Sequence, residues 1–226
     1  MIWEYRSYDV AHGRLGEEVE RMHRVAFAAS EGGGSMFDAY RVPRPFAAWS
    51  AIAGDKLPSF GYLVAWDSLA ARQQAFPRFW ADPRWIDIKE TTDDGRPMVQ
   101  RIDCWIVQPT NGRQPRARAS ASPCAVQELR WIKLANGNLA AARVALDETI
   151  VQPLERAGAE TLSMFDLVIG PKMASLLLFT EWPSLEACEQ GNTAAATRQR
   201  TDLVQILSHS VIQPVDVAKA GERAAA

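Results

Sequence analysis

The sequence predicts an α+β fold, two tandem ferredoxin-like βαββαβ domains packed sheet to sheet around a barrel-like core of eight strands, with helices outside. Three observations predict it. Short local matches recur in the same order in both halves of the 226-residue chain. Helical apolar spacing fills the gaps between matches, and the strands are apolar on both faces.

The matches come first because their order organises the rest. Glu4-Tyr5-Arg6 meets Glu128-Leu129-Arg130 at an offset of 124, in segments whose apolar residues suit a strand. Ser35-Met36-Phe37-Asp38 recurs as Ser163-Met164-Phe165-Asp166 at an offset of 128. Trp66-Asp67-Ser68-Leu69 meets Trp182-Pro183-Ser184-Leu185 at 116, and Ile106-Val107-Gln108-Pro109 meets Val211-Ile212-Gln213-Pro214 at 105. Each half closes on an apolar run and a strand-ending proline.

Between the first and second matches Leu15, Val19, Met22, Ala26 and Ala29 recur at spacings of three and four, and Gly32-Gly33-Gly34 is expected to end that helix. Leu139, Ala142, Leu146, Ile150 and Leu154 do the same in the second half, with a bend expected near Val151 because Pro153 removes an amide donor. A second helical stretch follows Ser68, and Asp82-Pro83 reads as a cap and first residue of a further short helix. Phe60 to Trp66 and Ser175 to Trp182 do not alternate polar with apolar. Both of their faces should therefore be covered, most simply by the other half.

The resulting partition is residues 1–110 as the first domain, 111–123 as a linker without periodic apolar pattern, 124–217 as the second domain, and 218–226 as a disordered tail. Val42 to Pro58 faces only a short turn, 169–172, in the second half, so it reads as a long hairpin excursion. Its Phe46 and Trp49 either form a lid over the barrel mouth, pack against another subunit, or cover their own half.

A formal charge of −2, from 25 basic and 27 acidic side chains, offers no field that would gather nucleic acid. No apolar run approaches the roughly 20 residues of a membrane span. No signal peptide is evident, and three scattered cysteines suit a reducing compartment, so a cytoplasmic protein is expected.

The i, i+2 pairs Glu4/Arg6 and Glu128/Arg130 each occupy one face of a strand. With Tyr5 and Leu129 toward the helices, the charged pairs are expected to point into the barrel, as a polar ligand site with Tyr62 and His209 or as a structural ion-pair network. Asp38 and Asp166 read as strand carboxylates at matched positions, catalytic candidates or acceptors near strand ends. His12 falls in a turn, His23 on a helix and His209 in a strand, so no metal site is expected. His209 is the candidate acid or base and the only candidate haem ligand, although no cofactor is expected.

Glu4-Tyr5-Arg6-Ser7-Tyr8, His12-Gly13-Arg14-Leu15, Trp66-Asp67-Ser68-Leu69-Ala70 and Ala81-Asp82-Pro83-Arg84-Trp85 together resemble NIPSNAP-family domains, as does Ile150 to Leu154 before Gly158. The second half lacks the Asp-Pro-x-Trp segment. The resemblance implies the dimeric α/β-barrel fold and a homodimer, but brings no agreed catalytic residues. Relatives of that barrel include cofactor-free monooxygenases, polyketide-modifying enzymes and haem proteins. The expected function is binding of a small organic molecule in the barrel interior, with cofactor-free oxygenase or cyclase chemistry as its active form. The alternative is a non-catalytic scaffold with a filled barrel.

Overall fold

The computed structural model describes residues 1–29, 33–110, 114–118, 124–196 and 202–216, without the side chains of 195 and 196. Most of the expected linker 111–123 and the whole tail 218–226 lie outside the described residues.

By contact density the chain divides into two units. The first holds Met1–Ser50 and Lys56–Cys104; the second holds Ala51–Asp55 and Trp105–Gln213. In the first unit, β1 (Ile2–Val10) pairs antiparallel with β3 (Ser59–Trp66), and β3 pairs antiparallel with β2 (Ala47–Ala53). The helices are α1 (Leu15–Ala26), α2 (Met36–Tyr40), α3 (Leu69–Trp80) and α4 (Pro83–Asp93). β4 (Val99–Pro109) follows them.

In the second unit β5 (Val126–Leu134) is bordered by β7 (Ser175–Trp182) and β8 (Val204–Pro214), and β7 is bordered by β6 (Glu160–Ile169). The end of β4 pairs with β6, again antiparallel. The helices here are α5 (Leu139–Leu146), α6 (Gln152–Arg156) and α7 (Leu185–Ala196). A π-helical stretch, Asp147–Val151, joins α5 to α6. It is the form taken by the bend expected near Val151, since the wider turn accommodates the missing Pro153 amide without breaking the rod. None of the described helices is long and apolar enough to cross a membrane.

Each core forms where the even-numbered positions of the strands meet the helices. In the first unit Tyr8, Phe60, Tyr62, Val64 and Trp66 pack with Met22, Val25, Phe37, Phe76 and Phe79. In the second, Ile132, Leu176, Leu178 and Trp182 pack with Ala142, Leu146, Ile150 and Cys188. Except for Ala65, every residue of β3 and β7 is buried, as their two-sided apolar pattern requires.

Two expectations fail together. Ser35-Met36-Phe37-Asp38 is not a strand: Ser35 accepts from the Asp38 amide and Asp38 accepts from the Ser35 amide at 2.8 Å, a capping box that opens α2. Its twin Ser163–Asp166 does lie in β6, so four identical residues occupy a helix in one half and a strand in the other. A serine three residues before an aspartate satisfies orphan amides when a helix can follow, and the second half instead supplies a strand partner in β7. The second strand of the first half is therefore β2, inside the supposed excursion. Trp49 is no lid: it is buried and stacks on Tyr5 with ring centroids 6.0 Å apart. Phe46 packs edge-on against Trp3. A third expectation is displaced: α1 ends at Ala26 rather than running through Ala29.

Trp49 also fixes one glycine. A Cβ on Gly61, its cross-strand neighbour, would stand 2.5 Å from the indole nitrogen of Trp49. Gly61→Ala is expected to destabilise the protein by about 1–3 kcal/mol through overpacking. Chemical denaturation would measure the loss, and Trp49→Leu in the same chain should recover part of it. A Gly61→Ala variant with an unchanged midpoint would mean that the indole moves aside freely.

Candidate functional site

The charged pairs of β1 and β5 face the opposite way from the sequence expectation. Glu4 and Arg6 share the face of β1 that meets the helices, whereas Tyr5 lies on the other face against Trp49. The reason is the period of the strand: Tyr8 and Val10 belong to the helix-packed core, so every even residue of β1 goes with them. Glu128 and Arg130 follow Ile132 and Leu134 in the same way.

Both glutamates are wholly buried. Glu4 accepts from Arg6 at 3.1 Å, from the Trp66 indole at 2.8 Å, from two nitrogens of Arg72 on α3 at 2.8 Å each, and from the Cys104 thiol. Burial pushes its pKa up, but the Arg72 hydrogen bonds, the Arg6 charge and the Cys104 bond outweigh it, so the carboxyl stays below its ordinary value. Glu128 is held alike, by Arg130 at 2.8 Å and by the Trp182 indole, Asn192 of α7 and His209 of β8. Burial again opposes ionisation, and the His209 bond with the Arg130 charge bring the carboxyl down to about 2.

The arginines differ, and the difference makes a site. Arg130 gives NH1 to Thr180 Oγ1 at 3.3 Å and NH2 to Glu128 and Asn192. The register places Thr180 opposite Glu128, whereas Val64 stands opposite Glu4 and offers no hydroxyl. Arg6 is 4% exposed, and its Nε has no hydrogen-bond partner among the described residues. Its guanidinium lies 4.9 Å from the ring centroid of Phe76, 5.6 Å from Tyr8 and 6.0 Å from Tyr62. Where the first unit has Tyr8 and Tyr62 the second has Ile132 and Leu178, aliphatic side chains that fill its core.

Arg6 and both tyrosines open on a cavity of about 610 Å³ within the first unit, between the sheet and helices α1, α3 and α4. Aromatic and aliphatic side chains make most of its wall, among them Met22, Phe37, Phe76, Phe79, Trp80 and Trp85. Polar and charged side chains complete it, Gln100 and Arg101 among them. The Tyr8 and Tyr62 hydroxyls bond each other at 2.9 Å, and burial raises the pKa of both, so they remain neutral donors near pH 7. Glu18 of α1 is 3% exposed and pairs with Arg21 at 2.5 Å. Arg21 also binds Asp93 at 3.0 Å, and Asp93 takes Lys89 at 2.8 Å. Burial pushes the Glu18 carboxyl up to about 7, against the pull of Arg21.

A carboxyl raised toward neutrality thus lines the same cavity as a buried cation with an unused N–H, two groups able to act on a proton of a bound molecule. Sequence reasoning named Arg6 and Tyr62 and missed Glu18, Arg21, Tyr8 and Asp93. The signal for Glu18 was present: Leu15, Glu18, Met22 and Val25 form one stripe of α1, with a charge where core is due.

The other candidates are occupied elsewhere. Asp38 caps α2 and pairs with Arg44 at 2.6 Å, which together with Ser35 draws its carboxyl down to about 2. Asp166 pairs with Arg143 of α5 at 2.8 Å on a half-buried surface. His209 is spent on Glu128 at 2.5 Å. Among the described residues no three His, Cys, Asp or Glu side chains gather as metal ligands.

A family model described as NIPSNAP matches residues 3–112, a span that includes every residue of the cavity wall. None of the curated proteins matches the sequence. Among solved structures, a proposed monooxygenase from Fusobacterium nucleatum superimposes with a TM-score of 0.56 at 9% identity, covering 95% of this chain and 92% of its own. A mutant form of chlorite dismutase from Candidatus Nitrospira defluvii gives 0.54 at 12% identity, covering 100% and 95%. An anthrone oxidase-like protein gives 0.53 at 11% identity, covering 95% and 92%. At such identities the likeness speaks for the fold alone, the α+β architecture of dimeric α/β-barrel proteins.

Proposed function

We propose, from the premise that residues 3–112 belong to the NIPSNAP family, that this protein binds a small organic molecule in the first-unit cavity and withdraws a proton from it. The observation that carries the reading is the pairing, in one apolar cavity, of Glu18 poised near neutrality with Arg6 lacking a partner at Nε. In this reading Glu18 takes a proton from a carbon beside a carbonyl, or from a hydroxyl, and Arg6 steadies the oxyanion that results. The electron pair of the broken C–H or O–H bond stays on the molecule as enolate or phenolate. Cofactor-free oxygenation and cyclisation both begin from such an anion, which accords with the monooxygenase and oxidase-like proteins among the structural neighbours.

This reading places the ligand between sheet and helices of the first unit, not in the barrel interior expected from the sequence. A cytoplasmic setting and a homodimer belong to the same proposal. A scaffold role finds its support in the second unit, where Glu128 and Arg130 are saturated by their own neighbours.

The test uses 2-tetralone, whose benzylic protons next to the carbonyl exchange in heavy water. Wild-type protein is expected to accelerate the exchange followed by proton NMR, with a rate that rises through pH 7. Glu18→Gln should lower the acceleration by about 100-fold, the lower end of what a positioned base contributes. Equal rates for wild type and Glu18→Gln would remove Glu18 from the role.

A further inference from the structure

Resting on that reading of the cavity, we infer the class of molecule it takes: a flat, fused aromatic compound of two or three rings that carries a single carbonyl or phenolate oxygen, seated with that oxygen between Arg6 and the Tyr8–Tyr62 hydroxyl pair. Three independent features point there.

The first is the wall. Phe37, Phe76, Phe79, Trp80 and Trp85 offer ring faces and edges, which match the quadrupole of another aromatic and give an extended alkyl chain no comparable preference. The second is the count of unused donors at the inner end. When two hydroxyls bond each other, one donates and the other keeps its own proton free. Tyr8 and Tyr62, at 2.9 Å, therefore have one O–H left for a third partner, and Arg6 Nε–H is the other. Both donors can converge on one oxygen bearing two lone pairs.

The third feature is charge. Arg6 already neutralises part of Glu4, whose other partners are Arg72, Trp66 and Cys104, so the inner end holds only a modest surplus of positive charge. Such a surplus stabilises an oxygen whose negative charge is delocalised into rings, as in a phenolate or aryl enolate. The volume of about 610 Å³ admits two to three fused rings and lies within the range of small-molecule sites.

The probes are 2-naphthol, naphthalene and decanoate, titrated calorimetrically into the full chain at pH 8. 2-Naphthol is expected to bind at least about tenfold more tightly than either of the others, the worth of one or two satisfied donors. Arg6→Met and Tyr62→Phe should each reduce the advantage over naphthalene severalfold. Tyr62→Phe keeps the packing, so it decides the matter if Arg6→Met fails to fold. Met22→Trp, which puts an indole into the cavity, should abolish binding of every probe.

Tighter binding of decanoate, still lost in Met22→Trp, would overturn the aromatic class and leave the cavity as the ligand site. Equal affinity for naphthalene and 2-naphthol would overturn the role given to Arg6 and the tyrosines. If no probe binds in a way that Met22→Trp removes, the ligand site itself is withdrawn.

Discussion

Glu128→Ala is expected to lower the melting temperature by about 10 °C. The variant leaves Arg130, 1% exposed, without its counter-charge, and strips an acceptor from the Trp182 indole, Asn192 and His209. Breaking one partner of a buried ion pair costs about 3–5 kcal/mol, and in a chain of this size each kcal/mol is worth about 2–4 °C. Glu128→Gln keeps one acceptor oxygen and should fall between the variant and wild type. The carboxyl, held near 2 when folded against an ordinary value of 4.5, contributes stability that is complete above pH 4.5 and is lost as pH falls toward 2. In the alanine variant that part of the acid dependence should vanish. A melting temperature within about 2 °C of wild type, no more than one kcal/mol is worth, would show that the arginine reaches water.

Glu18 should behave with the opposite sign. Its folded pKa, about 7, lies above the ordinary 4.5, so the folded protein holds the proton more tightly than the unfolded chain. Stability is therefore full below pH 4.5, declines between pH 4.5 and 7, and is flat above. The decline amounts to about 3 kcal/mol at 1.36 kcal/mol per unit of pKa. Glu18→Gln carries no charge to bury, and Arg21 retains Asp93 at 3.0 Å. The difference in melting temperature, variant minus wild type, should accordingly grow by several degrees from about pH 5 to about pH 8. A difference independent of pH would place the Glu18 titration outside that window and remove the basis for its role as base.

The two strand glutamates show what a linear reading can reach. Glu4 and Glu128 announce themselves as matched charges in apolar strands, and they prove to be buried, paired and capped by a tryptophan each. Which face they occupy was misjudged from Tyr5 and Leu129. A strand buried on both sides carries no polar face to orient it, and the periodicity is then silent about direction. Ser35–Asp38 failed for a related reason: a tetrapeptide is too short to overrule its context, and its serine and aspartate cap a helix as readily as they enter a strand.

By itself the sequence determined the fold class, the order of strands and helices apart from α2 and β2, and the identity of Arg6, Tyr62, Glu128 and Arg130 as polar groups set among core. Apolar period and local matching are properties of neighbouring residues, and these features needed nothing more. Only the tertiary structure decided that the first unit holds a cavity lined by Arg6, Tyr8 and Tyr62, whereas Ile132 and Leu178 pack into the core of the second. That outcome depends on pairs far apart in the chain, Val64 against Thr180, Tyr62 against Leu178, and Glu18 of α1 beneath them in the first unit alone. Whether a buried arginine finds its last partner is settled by what lies across the sheet, where sequence neighbours have no say.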